Sequence, residues 1–237
     1  MKKEVLVILP GWGGSHETWQ DFIKLASDKF EIVCIDLPCF GTEPCPNSVW
    51  GVQEYTKFVY QKISQLPPPI NLLGHSFGGQ VATYFTANNQ QMISKLILIG
   101  AAVLRPTDNW RRLFFGTIAK LGKIIFRIPI IEKYNLYAKK ILYRMANSPD
   151  YSNTAGIKRD IFKKIIREDL GNLLPKIKTP TLVIWGKKDT YVPLKHGKII
   201  SQTLPHGRLA IMDGKHGLHL TNPTMLVDKI NAFVYNE

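Results

Sequence analysis

Six short apolar runs punctuate this chain, and helical patterns fill most of the spaces between them. EVLVIL, EIVCI, KLILI and TLVIW are nearly continuous in apolar residues, as strands buried on both faces should be. Strands of that kind alternating with helices are the signature of a parallel α/β sheet. The strand candidates are Glu4–Leu9, Phe30–Ile35, Ile70–Leu73, Lys95–Ile99, Thr181–Trp185 and Arg208–Met212. Helices fit between or after them at about Trp19–Ser27, Val52–Gln65, Gly79–Asn89, Pro193–Thr203 and Pro223–Tyr235. Ser15 or Thr18 can cap the first of these, and Pro193 and Pro223 suit first-turn positions.

The alternation breaks once, between Gly100 and Thr179. That stretch reads as helices, with Phe114, Phe115, Ile118, Leu121, Ile124 and Ile125 interleaved with basic residues, and it is too long for a loop in a compact domain. A helical cap inserted into the sheet explains it. The expected organisation is core at 1–104, cap at 105–170 and core again at 171–237. The 237 residues suffice for one such domain with a sizeable core.

The chain carries a net charge of +13, unevenly spread. Residues 105–170 hold 15 Lys/Arg against 6 Asp/Glu, out of 31 and 18 in all. A basic segment of this kind either serves solubility or attracts an acidic partner. Leu113–Ile128 could also be read as a basic amphipathic helix on a membrane surface, but a cap helix burying its apolar face is the simpler reading. The lysines before the first apolar run imitate a signal peptide, yet the run is short and enters a glycine loop, so it reads as a strand. No apolar stretch approaches the roughly 20 residues that span a bilayer. Cys34, Cys39 and Cys45 crowd one segment without a C-x-x-C pattern and are expected as free thiols. These features together predict a cytoplasmic protein, with no nucleic-acid partner and no membrane insertion.

Gly74-His75-Ser76-Phe77-Gly78 follows the strand at Ile70 and opens a helix. A G-x-S-x-G corner in that context holds its serine in a strained conformation that pushes Oγ into the open. Ser76 is therefore the expected nucleophile, and it needs a base and an orienting acid. LVIWGKKDTYVP supplies Asp189 after the fifth strand, with Asp213 as reserve. IMDGKHGLHLTNP supplies His216 after the sixth, with His219 as a rival that lines the pocket. His75 is expected to pack beside the corner, whereas His16, His196 and His206 have no supporting context. Acyl transfer also requires two N–H donors for the oxyanion. The expected pair is the amides of Phe77 and of Trp12, the latter in the loop LPGWGGSHETW. Gly11 and the Trp12 side chain would line the substrate pocket with His75 and His219.

Together, PGWGGSHETW, IDLPCFG, GHSFGG, WGKKDTYVP and GKHGLHLTNP resemble the α/β-hydrolase superfamily, in its cap-bearing branch of small serine esterases. The resemblance covers nearly the whole chain and implies a mostly parallel sheet of about six strands, where related folds often have eight. Its order of nucleophile, acid and base is that of Ser76, Asp189 and His216. Pro10 stands where the family often has histidine, and Cys39 where glycine is common. Serine at position 76 sets the chain apart from relatives with aspartate at the corner, such as haloalkane dehalogenases and epoxide hydrolases. It does not separate esterases from lactonases, thioesterases, carbon–carbon bond hydrolases or aminopeptidases.

The resulting expectation is a cofactor-independent carboxylic ester hydrolase acting on an apolar, short-to-medium acyl chain. A lactonase, for example on acyl-homoserine lactones, is one alternative. Another is an esterase of the pimeloyl-acyl-carrier methyl ester type, whose acidic carrier protein would meet Arg111, Arg112, Lys120, Lys123 and Arg127. A non-catalytic ligand-binding member of the fold would lack a triad residue, and none is lacking here. No metal is implied.

Overall fold

The computed structural model describes residues 3–105 and 155–236. Six strands, β1 (Glu4–Leu9), β2 (Phe30–Cys34), β3 (Ile70–His75), β4 (Ile93–Ile99), β5 (Thr181–Gly186) and β6 (Gly207–Met212), form one sheet in the order β2-β1-β3-β4-β5-β6. Every pairing is parallel, with Val7 opposite Leu72 and Leu98 opposite Val183. The predicted strands all occur, shifted at their ends by no more than two residues. β1, β3 and β5 are almost wholly buried, as their unbroken apolar runs require.

Around the sheet lie α1 (Gln20–Ala26), α2 (Val52–Ile63), α3 (Phe77–Asn88), α4 (Gly156–Ile165), α5 (Leu194–Thr203), α6 (Leu218–Thr221) and α7 (Pro223–Tyr235). Ser15 and Thr18 share the turn ahead of α1, the Thr18 hydroxyl donating to Ser15 O at 2.7 Å and accepting the Ser15 amide. Pro223 opens α7, where its missing N–H costs nothing. One core cluster joins Leu6, Ile8, Trp19, Phe22, Ile97, Ile184 and Phe233, burying the sheet face beneath α1 and α7. α3 crosses β1 so closely that a Cβ on Gly78 would strike the carbonyl oxygens of Leu9 and Pro10. Only glycine fits that crossing.

The chain divides into two compact units, Met1–Leu104 with Gly156–Glu237, and Arg105–Ala155. The first unit thus resumes at Gly156, earlier than the expected cap boundary at 170. Its returning segment is clamped to the sheet: Gln80, fully buried, donates to Ile165 O and Glu168 O, and Leu170 N donates to Val103 O. The basic residues Arg111, Arg112, Lys120, Lys123 and Arg127, and the stretch Leu113–Ile128, lie outside the described residues.

Two expectations need correction. Cys39 and Cys45 form a disulfide, and only Cys34 is a free thiol. Six residues apart, they are brought together by a turn in which Cys39 N donates to Pro44 O. Cys39 adopts a φ of 77°, the left-handed region that glycine enters freely. The cytoplasmic expectation loses the support of free thiols, although no described helix is long and apolar enough to cross a membrane. His16 also has a clear context: Nδ1 and the backbone N–H both meet the Asp36 carboxylate, at 2.9 and 2.6 Å. Asp36 further accepts from the Thr42 amide, so one buried carboxylate ties the loop after β1 to the loop after β2. Burial alone would raise its pKa, but these hydrogen bonds hold it below the ordinary value and raise that of His16.

Gly78→Ala tests the crossing of α3 over β1. Because rigid backbone blocks the added methyl, the variant should lose about 1–3 kcal/mol of stability, read as a lower urea midpoint.

Candidate active site

Parallel strands send all their carboxyl ends to one edge of the sheet, the place where sites form in open α/β folds. The loop carrying Gly11 and Trp12 follows β1, Ser76 follows β3, Asp189 follows β5 and His216 follows β6. Sequence-distant groups therefore meet at one rim.

Ser76 caps α3 with φ 51° and ψ −112°, a conformation that L-residues rarely adopt. Neighbouring backbone fixes it. Its N–H donates to Ile99 O at 3.0 Å, and its carbonyl accepts from Ala102 N and Gln80 N. The side chain stands partly exposed at the amino end of α3, where helix N–H groups favour negative charge.

Asp189 and His216 are hydrogen bonded, Nδ1 to Oδ2, at 2.7 Å. The carboxylate has no solvent exposure, and Oδ1 accepts the amides of Tyr191 and Val192, each at 2.9 Å. Two amides already take Oδ1, so the arrangement favours Asp189 as the acceptor throughout, with His216 Nδ1 donating to Oδ2. That leaves His216 Nε2 as the basic nitrogen. Asp213, the reserve acid, is instead an exposed surface residue paired with Lys188. Gly100 (φ 51°) sits against the pair: a Cβ there would lie 3.0 Å from His216 Nδ1 and 3.3 Å from Asp189 Oδ2. It directly follows Ile99, which holds the Ser76 amide, so the serine corner and the pair share the end of β4.

His75 and His219 lie behind this arrangement. His75 is buried, its Nε2 donating to His216 O at 3.1 Å, with its ring 4.7 Å from those of both His216 and His219. His219 is only 6% exposed and stacks flat on Trp19 at 4.2 Å. Both form a buried floor beneath the rim, and desolvation chiefly lowers the His219 pKa to about 4 and that of His75 well below its usual range.

Opposite the floor stands an aromatic wall. The Trp12 ring packs against Phe40 (4.8 Å), Phe162 (4.9 Å) and Phe77 (5.7 Å), and Phe77 is backed by Tyr55 at 5.0 Å. A Cβ on Gly11 would lie 3.1 Å from Ser76 Cβ, so this loop passes directly over the serine. Among the described residues, neither the Trp12 nor the Phe77 amide has a hydrogen-bond acceptor. Sequence reasoning missed Gly100, Phe40, Phe162 and Tyr191, whose ring stacks on His216 at 5.2 Å. Tyr191 was in plain view beside Asp189, but its contact depends on how the loop turns.

The alpha/beta hydrolase fold family matches residues 4–122, spanning β1 to β4 and the serine corner. The chain belongs to the alpha/beta hydrolase fold family. This alpha/beta hydrolase is 25% identical to the pimeloyl-[acyl-carrier protein] methyl ester esterase of Vibrio atlanticus, over 96% of this chain and 93% of that one. Its fold is shared with a bromoperoxidase from Bacillus anthracis (TM-score 0.75, 21% identity, 98% of this chain and 92% of that one). It is shared as well with an enol-lactonase from Burkholderia xenovorans (TM-score 0.74, 18% identity, 99% and 92%).

The buried histidines make the fold acid-sensitive. His219 has a native pKa of about 4 against an ordinary 6.5, so below pH 6.5 the unfolded chain binds a proton that the native state refuses. Stability should fall as pH drops from 6.5 towards 4, with roughly 3 kcal/mol at stake for a shift of this size. His16, with its raised value, opposes the trend. Urea midpoints measured across that window should decline steeply in the wild type and more gently in His219→Phe, which keeps the stack on Trp19.

Proposed function

We propose that this alpha/beta hydrolase cleaves carboxylic esters through an acyl-enzyme on Ser76. The observation that carries the reading is the buried Asp189–His216 hydrogen bond at the same sheet edge as a serine held at positive φ. In this mechanism His216 Nε2 takes the proton from Ser76 Oγ as the oxygen attacks the ester carbonyl. The tetrahedral oxyanion is received by the amides of Trp12 and Phe77, which have no acceptor among the described residues. As the intermediate collapses, His216 returns the proton to the departing alcohol. A water, deprotonated by the same nitrogen, then frees the acid and regenerates Ser76. Asp189 stays ionised throughout, fixing the tautomer and offsetting the imidazolium charge. The aromatic wall of Trp12, Phe40, Phe77 and Phe162 supplies an apolar surface for the acyl chain.

The relative from Vibrio atlanticus is named for a carrier-bound methyl ester, which favours linear esters as the substrate class over lactones. Recognition of an acidic carrier by Arg111, Arg112, Lys120, Lys123 and Arg127 is the corresponding partner proposal, with the inserted unit Arg105–Ala155 as the cap that carries them. It predicts that charge reversal at Arg111 and Arg112 weakens turnover of a carrier-bound ester more than that of a small one.

Hydrolysis of p-nitrophenyl butyrate at pH 8 tests the chemistry. Ser76→Ala should abolish turnover, and Asp189→Asn should lower kcat by about 10⁴-fold through the wrong imidazole tautomer. Activity that survives Ser76→Ala would remove Ser76 from the mechanism.

A further inference from the structure

Helix α4 turns one face towards the aromatic wall, and that face is not wholly apolar. Phe162 packs on Trp12 at 4.9 Å, and Lys158, one turn earlier, is on the same side of the helix. The Lys158 Nζ lies 4.3 Å from the centroid of the Phe40 ring, whose other contact is Trp12. Its hydrogen-bond partner is Cys39 O, at 3.1 Å. No carboxylate pairs with Lys158 among the described residues, whereas five others do meet an acid: Lys29 with Asp228, Lys62 with Glu43, Lys163 with Asp160, Lys164 with Glu54 and Lys188 with Asp213.

A half-buried cation without a counter-charge among the described residues is an expensive group to hold against an aromatic ring. Desolvation already lowers its pKa. A surface lysine kept only for solubility would extend into water, whereas this one lies along Phe40 with two N–H donors still open. The wall begins where Gly11 and Trp12 pass over Ser76 and ends at this ammonium. An ester docked along it would place its carbonyl at one end and whatever it carries further along at the other.

We propose that Lys158 is a specificity-determining residue that receives an anionic group, a carboxylate, at the far end of the ester substrate, so that the preferred substrates are half-esters of dicarboxylic acids. The proposal rests on the ester-hydrolase reading above and narrows its substrate class. The aromatic rings accept the methylenes, and the ammonium supplies the counter-charge that the protein itself withholds. The disulfide between Cys39 and Cys45 closes the turn whose carbonyl orients Nζ, which keeps the charge aimed along the wall.

Monoethyl adipate and diethyl adipate differ by one ionised group and are the probes. The wild type should show a higher kcat/KM for the half-ester. In Lys158→Met the ratio of half-ester to diester should fall by about tenfold or more, the loss expected for a charged hydrogen bond, and in Lys158→Arg it should be restored. A ratio unmoved by Lys158→Met overturns the proposal, because a merely structural lysine would affect both esters alike. Calorimetric binding of monoethyl adipate to Ser76→Ala and to Ser76→Ala/Lys158→Met separates the two readings. If the wild type hydrolyses neither ester, the hydrolase reading fails. Binding that weakens about tenfold with Lys158→Met then still supports the anionic subsite, and equal or absent binding overturns it.

Discussion

A serine cannot rest at φ 51° unaided, and the rest of this structure holds it there. Three backbone hydrogen bonds enclose Ser76: its amide is taken by Ile99 at the end of β4, and its carbonyl by Ala102 and Gln80. The strain of a left-handed non-glycine residue persists only where its surroundings over-determine it. Here the surroundings are a parallel sheet and a helix pressed on β1 so closely that Gly78 has no room for a side chain. Packing far from the chemistry, in the interleaved cores of Leu6, Ile97 and Ile184, is therefore what aims Oγ at the rim.

The electrostatics divide sharply around that corner. On one side of His216 a buried carboxylate is saturated by three donors, and on the other a neutral floor of His75 and His219 lies over Trp19. The proton taken during attack has one place to go and one place from which to return. An ionisable floor would compete for it, but desolvation lowers the pKa of both buried histidines, that of His219 to about 4.

Much of this was legible in the sequence because strands buried on both faces leave unbroken apolar runs. Their alternation with helices dictates parallel order, and parallel order dictates that Ser76, Asp189 and His216 share an edge. Choosing Asp189 over Asp213 was possible from spacing alone. The contacts that were not legible depend on turns. Cys39 and Cys45 pair because a left-handed residue folds the chain back on itself, and no thiol pattern announces that. His16 meets Asp36 across twenty positions only after two loops converge, and Lys158 reaches Phe40 only once α4 has returned to the sheet. The flat stacking of His219 on Trp19 likewise depends on how the chain turns after β6.

The clamp around residues 165–170 has a consequence for how the sheet is held. Gln80 grips Ile165 O and Glu168 O, Glu168 accepts the Val52 amide, and Leu170 is bonded to Val103 just before the inserted stretch departs. The sheet is thereby sealed on both sides of the insertion by bonds that owe nothing to residues 106–154. Each of these bonds joins described residues of the first unit, so β4 and β5 are braced within that unit itself. The frame that holds Ser76 and the Asp189–His216 pair is thus braced twice over, once by the sheet itself and once by the segment that returns to it.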